Sequence, residues 1–88
     1  MKIVIADDSP LLRERIRSVV LSVQKVEIVG EAANGVEALK LIEDTDPDLV
    51  ILDIRMPGLN GIETLEKLKT SGSRTKVCML TKMFLSPI

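Results

Sequence analysis

Apolar positions in this chain fall into two kinds of segment that alternate along its length. Four short apolar runs lack the polar alternation of half-exposed strands, and they predict buried strands at Lys2–Ala6, Val26–Glu31, Leu49–Leu52 and Val77–Leu80. Between them, apolar residues recur at helical spacing. These helical stripes are Leu12, Ile16, Val19, Val20 and Val23; Val36, Ala38, Leu39 and Ile42; and Ile62, Leu65 and Leu68. The pattern predicts three helices, each with an apolar side.

The boundaries of the predicted helices carry capping residues. A polar side chain that caps a helix N-terminus precedes each apolar stripe, at Ser9, Asn34 and Asn60. Glu37 and Glu63 follow the two asparagines three residues later, a spacing similar to that of a capping box. Gly72 follows the third stripe, where a left-handed cap would end the helix.

Alternating strands and helices indicate an α/β fold with parallel βαβ units, right-handed crossovers and helices on both faces of the sheet. In open sheets of this kind, binding sites form beyond the carboxyl ends of the strands. Four polar residues lie at such ends in the predicted arrangement: Asp7, Asp8, Asp53 and Thr81. They are therefore predicted to share one edge of the sheet.

The predicted convergence of Asp7, Asp8 and Asp53 suggests a metal site. Three close carboxylates repel each other, and a hard divalent cation with oxygen ligands relieves that repulsion. A carboxylate beside such a cation can attack phosphorus, because the metal neutralises the phosphoryl oxygens. Taken singly, Asp8 is better explained as a helix cap and Asp53 as a strand end, and Thr81 is equally well explained as an ordinary strand end.

Composition excludes several classes of function. The 88 residues predict one domain, 1–88, and 45% of them are hydrophobic, which is enough for a core. There is no histidine, which excludes a histidine-ligated zinc site and a histidine-activated nucleophile. A net charge of −1 and a single aromatic residue, Phe84, argue against direct binding of nucleic acid.

The single cysteine and the hydropathy pattern lead to expectations about thiol chemistry and cellular location. Cys78 is the only cysteine and lies among apolar residues, so we expect it to be a buried small hydrophobe. No apolar stretch approaches the roughly 18 residues of a membrane helix, and acidic residues follow the N-terminus too soon for a signal peptide. These features predict a cytoplasmic protein without membrane contact.

Three stretches of the chain resemble the receiver domain of bacterial two-component response regulators, in particular the class joined to a LuxR-type output domain. They are IADDSP at 5–10, GEAANGVEAL at 30–39 and PDLVILDIRMPGLNGIE at 47–63. The resemblance implies a flavodoxin-like (CheY-like), doubly wound parallel sheet. The expected topology is (βα)3β with strand order 2-1-3-4.

The resemblance also implies roles for individual residues. Asp53 would be the phosphoacceptor, with a histidine kinase as phosphodonor. Asp7, Asp8, Asp53 and the backbone carbonyl of Arg55 would hold Mg²⁺, and Thr81 would be the switch hydroxyl that binds the phosphoryl group. Such a domain is not an enzyme, apart at most from Mg²⁺-dependent self-phosphorylation and autodephosphorylation.

The resemblance extends only to about Thr81, and the chain is therefore expected to be a truncated receiver. The family's fifth strand, its last two helices and the lysine at the end of the fifth strand would be missing. Exposed apolar surface at the fourth strand would then favour a homodimer or strand-swapped self-association. Alternative hypotheses are a phosphorylation-incompetent, self-associating interaction module and, less well supported, a metal-dependent phosphohydrolase with Asp53 as nucleophile.

Overall fold

A computed structural model of the chain describes residues 1–23 and 25–80. Its elements, in chain order, are β1 (Lys2–Ala6), α1 (Pro10–Leu21), β2 (Glu27–Ala32), α2 (Gly35–Thr45), β3 (Leu49–Asp53), α3 (Gly61–Thr70) and β4 (Lys76–Leu80). The four strands form one parallel sheet in the order β2-β1-β3-β4. The predicted CheY-like topology is confirmed for the described residues. No helix in these two stretches is long and apolar enough to cross a membrane.

Local capping interactions set the predicted helix boundaries. The side chains of Ser9, Asn34 and Asn60 each accept a backbone N–H of the first helical turn. At α3 the capping box is complete, because Glu63 also accepts the Asn60 N–H. At α2, Glu37 accepts the N–H of Ala33 instead, so the box is shifted by one residue.

The sheet separates two apolar layers. The larger layer packs sheet residues such as Val4, Val50 and Leu52 against Ile42 of α2 and Leu68 of α3. Right-handed crossovers place α1 on the opposite face, because β1 connects to β2 in one direction and the later strands follow in the other. Ile3 and Ile5 alternate with the first layer along β1 and are buried on that opposite face.

Burial corrects part of the predicted helix stripes. Val19, Val23, Val36 and Ile62 were assigned to apolar sides, yet they are between 47% and 68% exposed. In α3 the buried positions are Gly61, Thr64 and Leu68. Ile62 follows Gly61 by one residue, which is about 100° around the helix, and its side chain therefore points away from the buried side of α3.

A partly uncovered apolar surface lies on the α1 side of the sheet, beyond the reach of α1. Arg17 and Leu21 line a groove with β2, whereas Val19, on another side of α1, and Val23, two residues after the helix, are exposed. On β3 and β4 the residues that alternate with the larger apolar layer lie on the α1 side of the sheet. Of these, Ile51 is half-buried, and Cys78 and Leu80 are exposed. We call these residues the open face: Val19, Val23, Ile51, Cys78 and Leu80. The expectation that Cys78 is buried was wrong: it is exposed, and the main sheet contacts of α1 are with β1 and β2 rather than with β4.

Candidate functional site

Strand register places Asp7 and Asp53 side by side at the carboxyl edge of the sheet. Ala6 and Leu52 are direct partners in the β1–β3 ladder, and each is followed by an aspartate. Asp8 continues from Asp7 into the turn before α1. The two central strands thus deliver three carboxylates to one point, as their positions at strand ends predicted.

The geometry of these carboxylates fits a small, hard cation. Asp7, Asp8 and Asp53 each offer an oxygen, and these three atoms lie within 4.8 Å of one another. Mg²⁺ binds oxygen at about 2.1 Å, so two ligands of one ion lie up to about 4.2 Å apart. Asp7 and Asp53 are only 3% and 2% exposed, whereas Asp8 is exposed. A cation at this cluster would therefore have two buried ligands and one solvent-facing ligand.

Asp7 is held by hydrogen bonds on three sides. Its N–H donates to the Ala32 carbonyl of β2 at 2.9 Å, and its carboxylate Oδ1 accepts the Ser9 N–H at 2.8 Å. Its carbonyl oxygen accepts Nη1 of Arg13 at 2.6 Å. The Arg13 guanidinium also lies 3.5 Å from Glu31 at the end of β2. These contacts fix the backbone and carboxylate of Asp7 relative to both neighbouring strands.

Asp53 is oriented by the chain segment that follows it. Its carboxylate Oδ1 accepts the N–H of Arg55 at 3.3 Å. The neighbouring Ile54 N–H donates to Leu80 of β4, and the Ile54 carbonyl accepts the N–H of Gly61, the first residue of α3. Arg55 itself has an exposed side chain, and its backbone lies next to the carboxylate cluster. The use of the Arg55 carbonyl as a metal ligand stays a prediction, and the structure adds the contact from the Arg55 amide to the Asp53 carboxylate.

The structure brings together most of the predicted site and adds residues that the sequence did not indicate. Thr81 lies outside the described residues. The sequence pattern did not indicate Arg13, which is half-buried against Asp7 and Glu31. Its position near the start of α1, the end of the helix that adjoins the strand ends, is the sequence feature that could have suggested such a contact.

Comparison with known proteins gives a consistent family. A family model described as the response regulator receiver domain matches residues 3–84. The chain is 44% identical, over 92% of its length, to the uncharacterised transcriptional regulatory protein YhcZ of Bacillus subtilis. It spans 38% of the length of that relative.

Two solved structures share the fold. A LuxR-family DNA-binding response regulator from Staphylococcus aureus superimposes with a TM-score of 0.87 at 36% identity, covering 92% of this chain and 68% of that one. The isolated REC domain of RcsB from Salmonella enterica serovar Typhimurium, determined in the presence of the phosphomimetic BeF3−, gives 0.85 at 27% identity. That match covers 92% of this chain and 61% of the RcsB chain.

Proposed function

Because the chain belongs to the response regulator receiver domain family of two-component systems, we propose that Asp53 accepts a phosphoryl group from a histidine kinase. The observation that carries this proposal is the cluster of Asp7, Asp8 and Asp53, whose ligand atoms lie within 4.8 Å of one another. The RcsB domain, similar in fold, was determined with a phosphomimetic, which supports phosphorylation as the chemistry.

The proposed reaction is a transfer between two nucleophiles. A carboxylate oxygen of Asp53 attacks phosphorus and forms a P–O bond. The bond between phosphorus and the donor's histidine nitrogen breaks, and its electron pair stays on that nitrogen. Mg²⁺, when bound, would neutralise charge on the phosphoryl oxygens. Asp7, Asp8 and Asp53 would hold it, together with the carbonyl of Arg55.

The chain's own hydrogen bonds prepare the nucleophile and the metal ligands. The Arg55 N–H on Oδ1 restricts rotation of the Asp53 carboxylate. The Ser9 N–H on Asp7 does the same for a neighbouring ligand. Burial of Asp7 and Asp53 reduces solvent screening, so a bound cation and the incoming phosphoryl group would interact strongly. Thr81, the residue after β4, is proposed to hydrogen-bond a phosphoryl oxygen after transfer.

The proposal is limited to the receiver. We propose no turnover of an external substrate beyond self-phosphorylation and autodephosphorylation, and no direct contact of this segment with nucleic acid. A cytoplasmic location stays a prediction from the sequence. The chain spans 38% of the length of YhcZ, so the activity of a whole regulator lies outside this proposal.

Intact-mass spectrometry tests the acceptor role directly. The chain is incubated with Mg²⁺ and acetyl phosphate or phosphoramidate, and we expect a mass gain of one phosphoryl group that chelation with EDTA prevents. Asp53→Asn should show no gain. Asp44→Asn, an exposed change of the same kind on α2, should gain mass as the wild type does. An equal gain in Asp53→Asn would refute Asp53 as the acceptor.

A second candidate function is favoured by the open face. Exposed apolar side chains on α1 and β4 suit contact with another copy of the chain. The chain would then act as a self-associating module without phosphorylation. A folded dimer that binds Mg²⁺ but gains no phosphoryl group would select this function.

A further inference from the structure

The first residue of α2, Gly35, is buried directly against the loop that joins β3 to α3. Its N–H donates to the Leu59 carbonyl oxygen at 3.2 Å. A Cβ atom at this position would lie closer than 3.0 Å to Thr64 Oγ1 and to the carbonyl oxygen and Cβ of Leu59. Thr64 is fully buried, and its hydroxyl donates to the Asn60 carbonyl at 2.7 Å. The joint between α2 and the loop therefore has room for a hydrogen atom and no more.

The loop held by Gly35, residues 54–60, leads to the acceptor residue. Near the start of this loop, the Arg55 N–H donates a hydrogen bond to the Asp53 carboxylate. Met56 anchors the loop in the core. At the far end, Gly61 packs on the backbone carbonyl of Asp53 itself and donates its N–H to Ile54. Because both ends of this short segment are held, a displacement of Leu59 must be taken up by the residues between them, which include Arg55.

We propose that Gly35 is a positioning residue: its contact with Leu59 and Thr64 sets the position of the 54–60 loop relative to Asp53, and hence the cation affinity of the carboxylate cluster. The inference rests on the proposed function of that cluster. Groups that orient metal ligands from outside the coordination sphere typically change metal affinity by about 10–100-fold when they are altered. Gly35 would act in this way on both the Asp53 carboxylate and the Arg55 carbonyl.

Calorimetric titration with Mg²⁺ tests the proposal on three proteins: wild type, Gly35→Ala and Gly72→Ala. Gly35→Ala is expected to raise the Kd for Mg²⁺ by roughly tenfold or more. It should also shift the ¹⁵N–¹H resonance of Arg55 in the metal-free protein. Gly72 has a φ of +74°, and a Cβ there would meet nothing within 4 Å. Gly72→Ala therefore destabilises the fold at the end of α3 without touching the loop, and it should leave the Kd and the Arg55 resonance unchanged.

The outcomes separate this inference from the proposed function. If the wild type binds no Mg²⁺, the proposed metal site fails, whatever Gly35 does to the Arg55 resonance. If the wild type binds Mg²⁺ and Gly35→Ala binds it equally well with an unshifted Arg55 resonance, the positioning role is overturned. An equal weakening in Gly72→Ala would also overturn it, because stability alone would then explain the loss.

A milder variant covers the case in which Gly35→Ala does not fold. Asn34→Ala removes the cap that orders the first turn of α2, where Gly35 lies. We expect a smaller change in the same direction, with a raised Kd and a shifted Arg55 resonance relative to Gly72→Ala. A Kd and an Arg55 resonance that match those of Gly72→Ala would reject the proposal.

Discussion

At the scale of single residues, a substitution at Asp8 is expected to have opposite effects on stability without and with Mg²⁺. Asp8 is the exposed member of the carboxylate cluster, so Asp8→Asn removes one charge and leaves the core intact. Without a cation, the repulsion within the cluster falls and the free energy of unfolding rises. With Mg²⁺ at a concentration of 100 times Kd, the free energy of unfolding of the wild type should rise by about 2.7 kcal/mol. Asp8→Asn should lose most of this increase.

Urea denaturation followed by circular dichroism, with and without Mg²⁺, measures both effects of Asp8→Asn. Asp44→Asn is the matched control, since it removes the same charge from an exposed position on α2. It should keep the full response to Mg²⁺. An unchanged Mg²⁺ response in Asp8→Asn would contradict its role as a ligand.

Arg13 is expected to contribute more to the free energy of unfolding than an ordinary surface charge does. Its guanidinium donates to the Asp7 carbonyl at 2.6 Å and is 20% exposed, with Glu31 at 3.5 Å. Arg13→Met keeps much of the apolar stem but removes the guanidinium that donates to that carbonyl, so the free energy of unfolding should fall by about 1–2 kcal/mol.

Arg17→Met provides the comparison for Arg13, because Arg17 pairs with the same glutamate at 3.9 Å but is 57% exposed. An exposed pair of this kind contributes little, so a change below about 0.5 kcal/mol is expected. Equal losses in the two variants, measured by urea denaturation, would show that the Asp7 contact adds nothing beyond surface charge.

At the scale of elements, two helices end at a residue in the left-handed conformation, which is a glycine after α3 and an aspartate after α2. After α3, Gly72 has a φ of +74°, and the N–H groups of Gly72 and Ser73 bond Lys69 and Leu68 in a Schellman arrangement. After α2, Asp46 takes the corresponding conformation with a φ of +46°. Gly72→Ala should therefore lower the free energy of unfolding by about 1 kcal/mol.

Asp46→Gly should act in the opposite direction to Gly72→Ala. It should raise the free energy of unfolding by about 0.5 kcal/mol, because relief of the left-handed strain is partly offset by the greater freedom of glycine in the unfolded chain. Thermal and urea unfolding of the two single variants check the signs. A stabilising Gly72→Ala would mean that this cap is not strained by a side chain.

At this scale, the features that could be predicted from the sequence are those that depend on residues close together along the chain. Asn60 and Glu63 lie within one helical turn of each other, so their capping box was visible as a spacing. Burial of Ile62 and Cys78 depends on which element covers them, and a local pattern carries no such information. The carboxylate cluster could be predicted because strand ends of a parallel sheet meet regardless of packing detail. The Gly35 contact could not, since it joins residues that only the folded topology brings together.

At the scale of the whole molecule, the described structure covers one sheet face better than the other. Within residues 1–23 and 25–80, α2 and α3 share one face and contact each other, whereas α1 is the one helix on the other face. The residues of α1 are all exposed or half-buried. The open face is the consequence, and apolar surface left in water costs roughly 25 cal/mol per Å². Contact with a second copy of the chain would remove this surface from water.

We therefore expect the chain to self-associate through the open face, as a dimer whose population rises with concentration in sedimentation velocity. Val19→Lys places a charge on that face at a side chain that is 68% exposed, so it should weaken association by about tenfold or more without disturbing the core. Val36→Lys is the matched control, since Val36 is 66% exposed on α2, on the other side of the sheet. It should associate as the wild type does. Two results would each exclude the open face as the interface: a folded monomer at every concentration, or equal weakening by the two lysines.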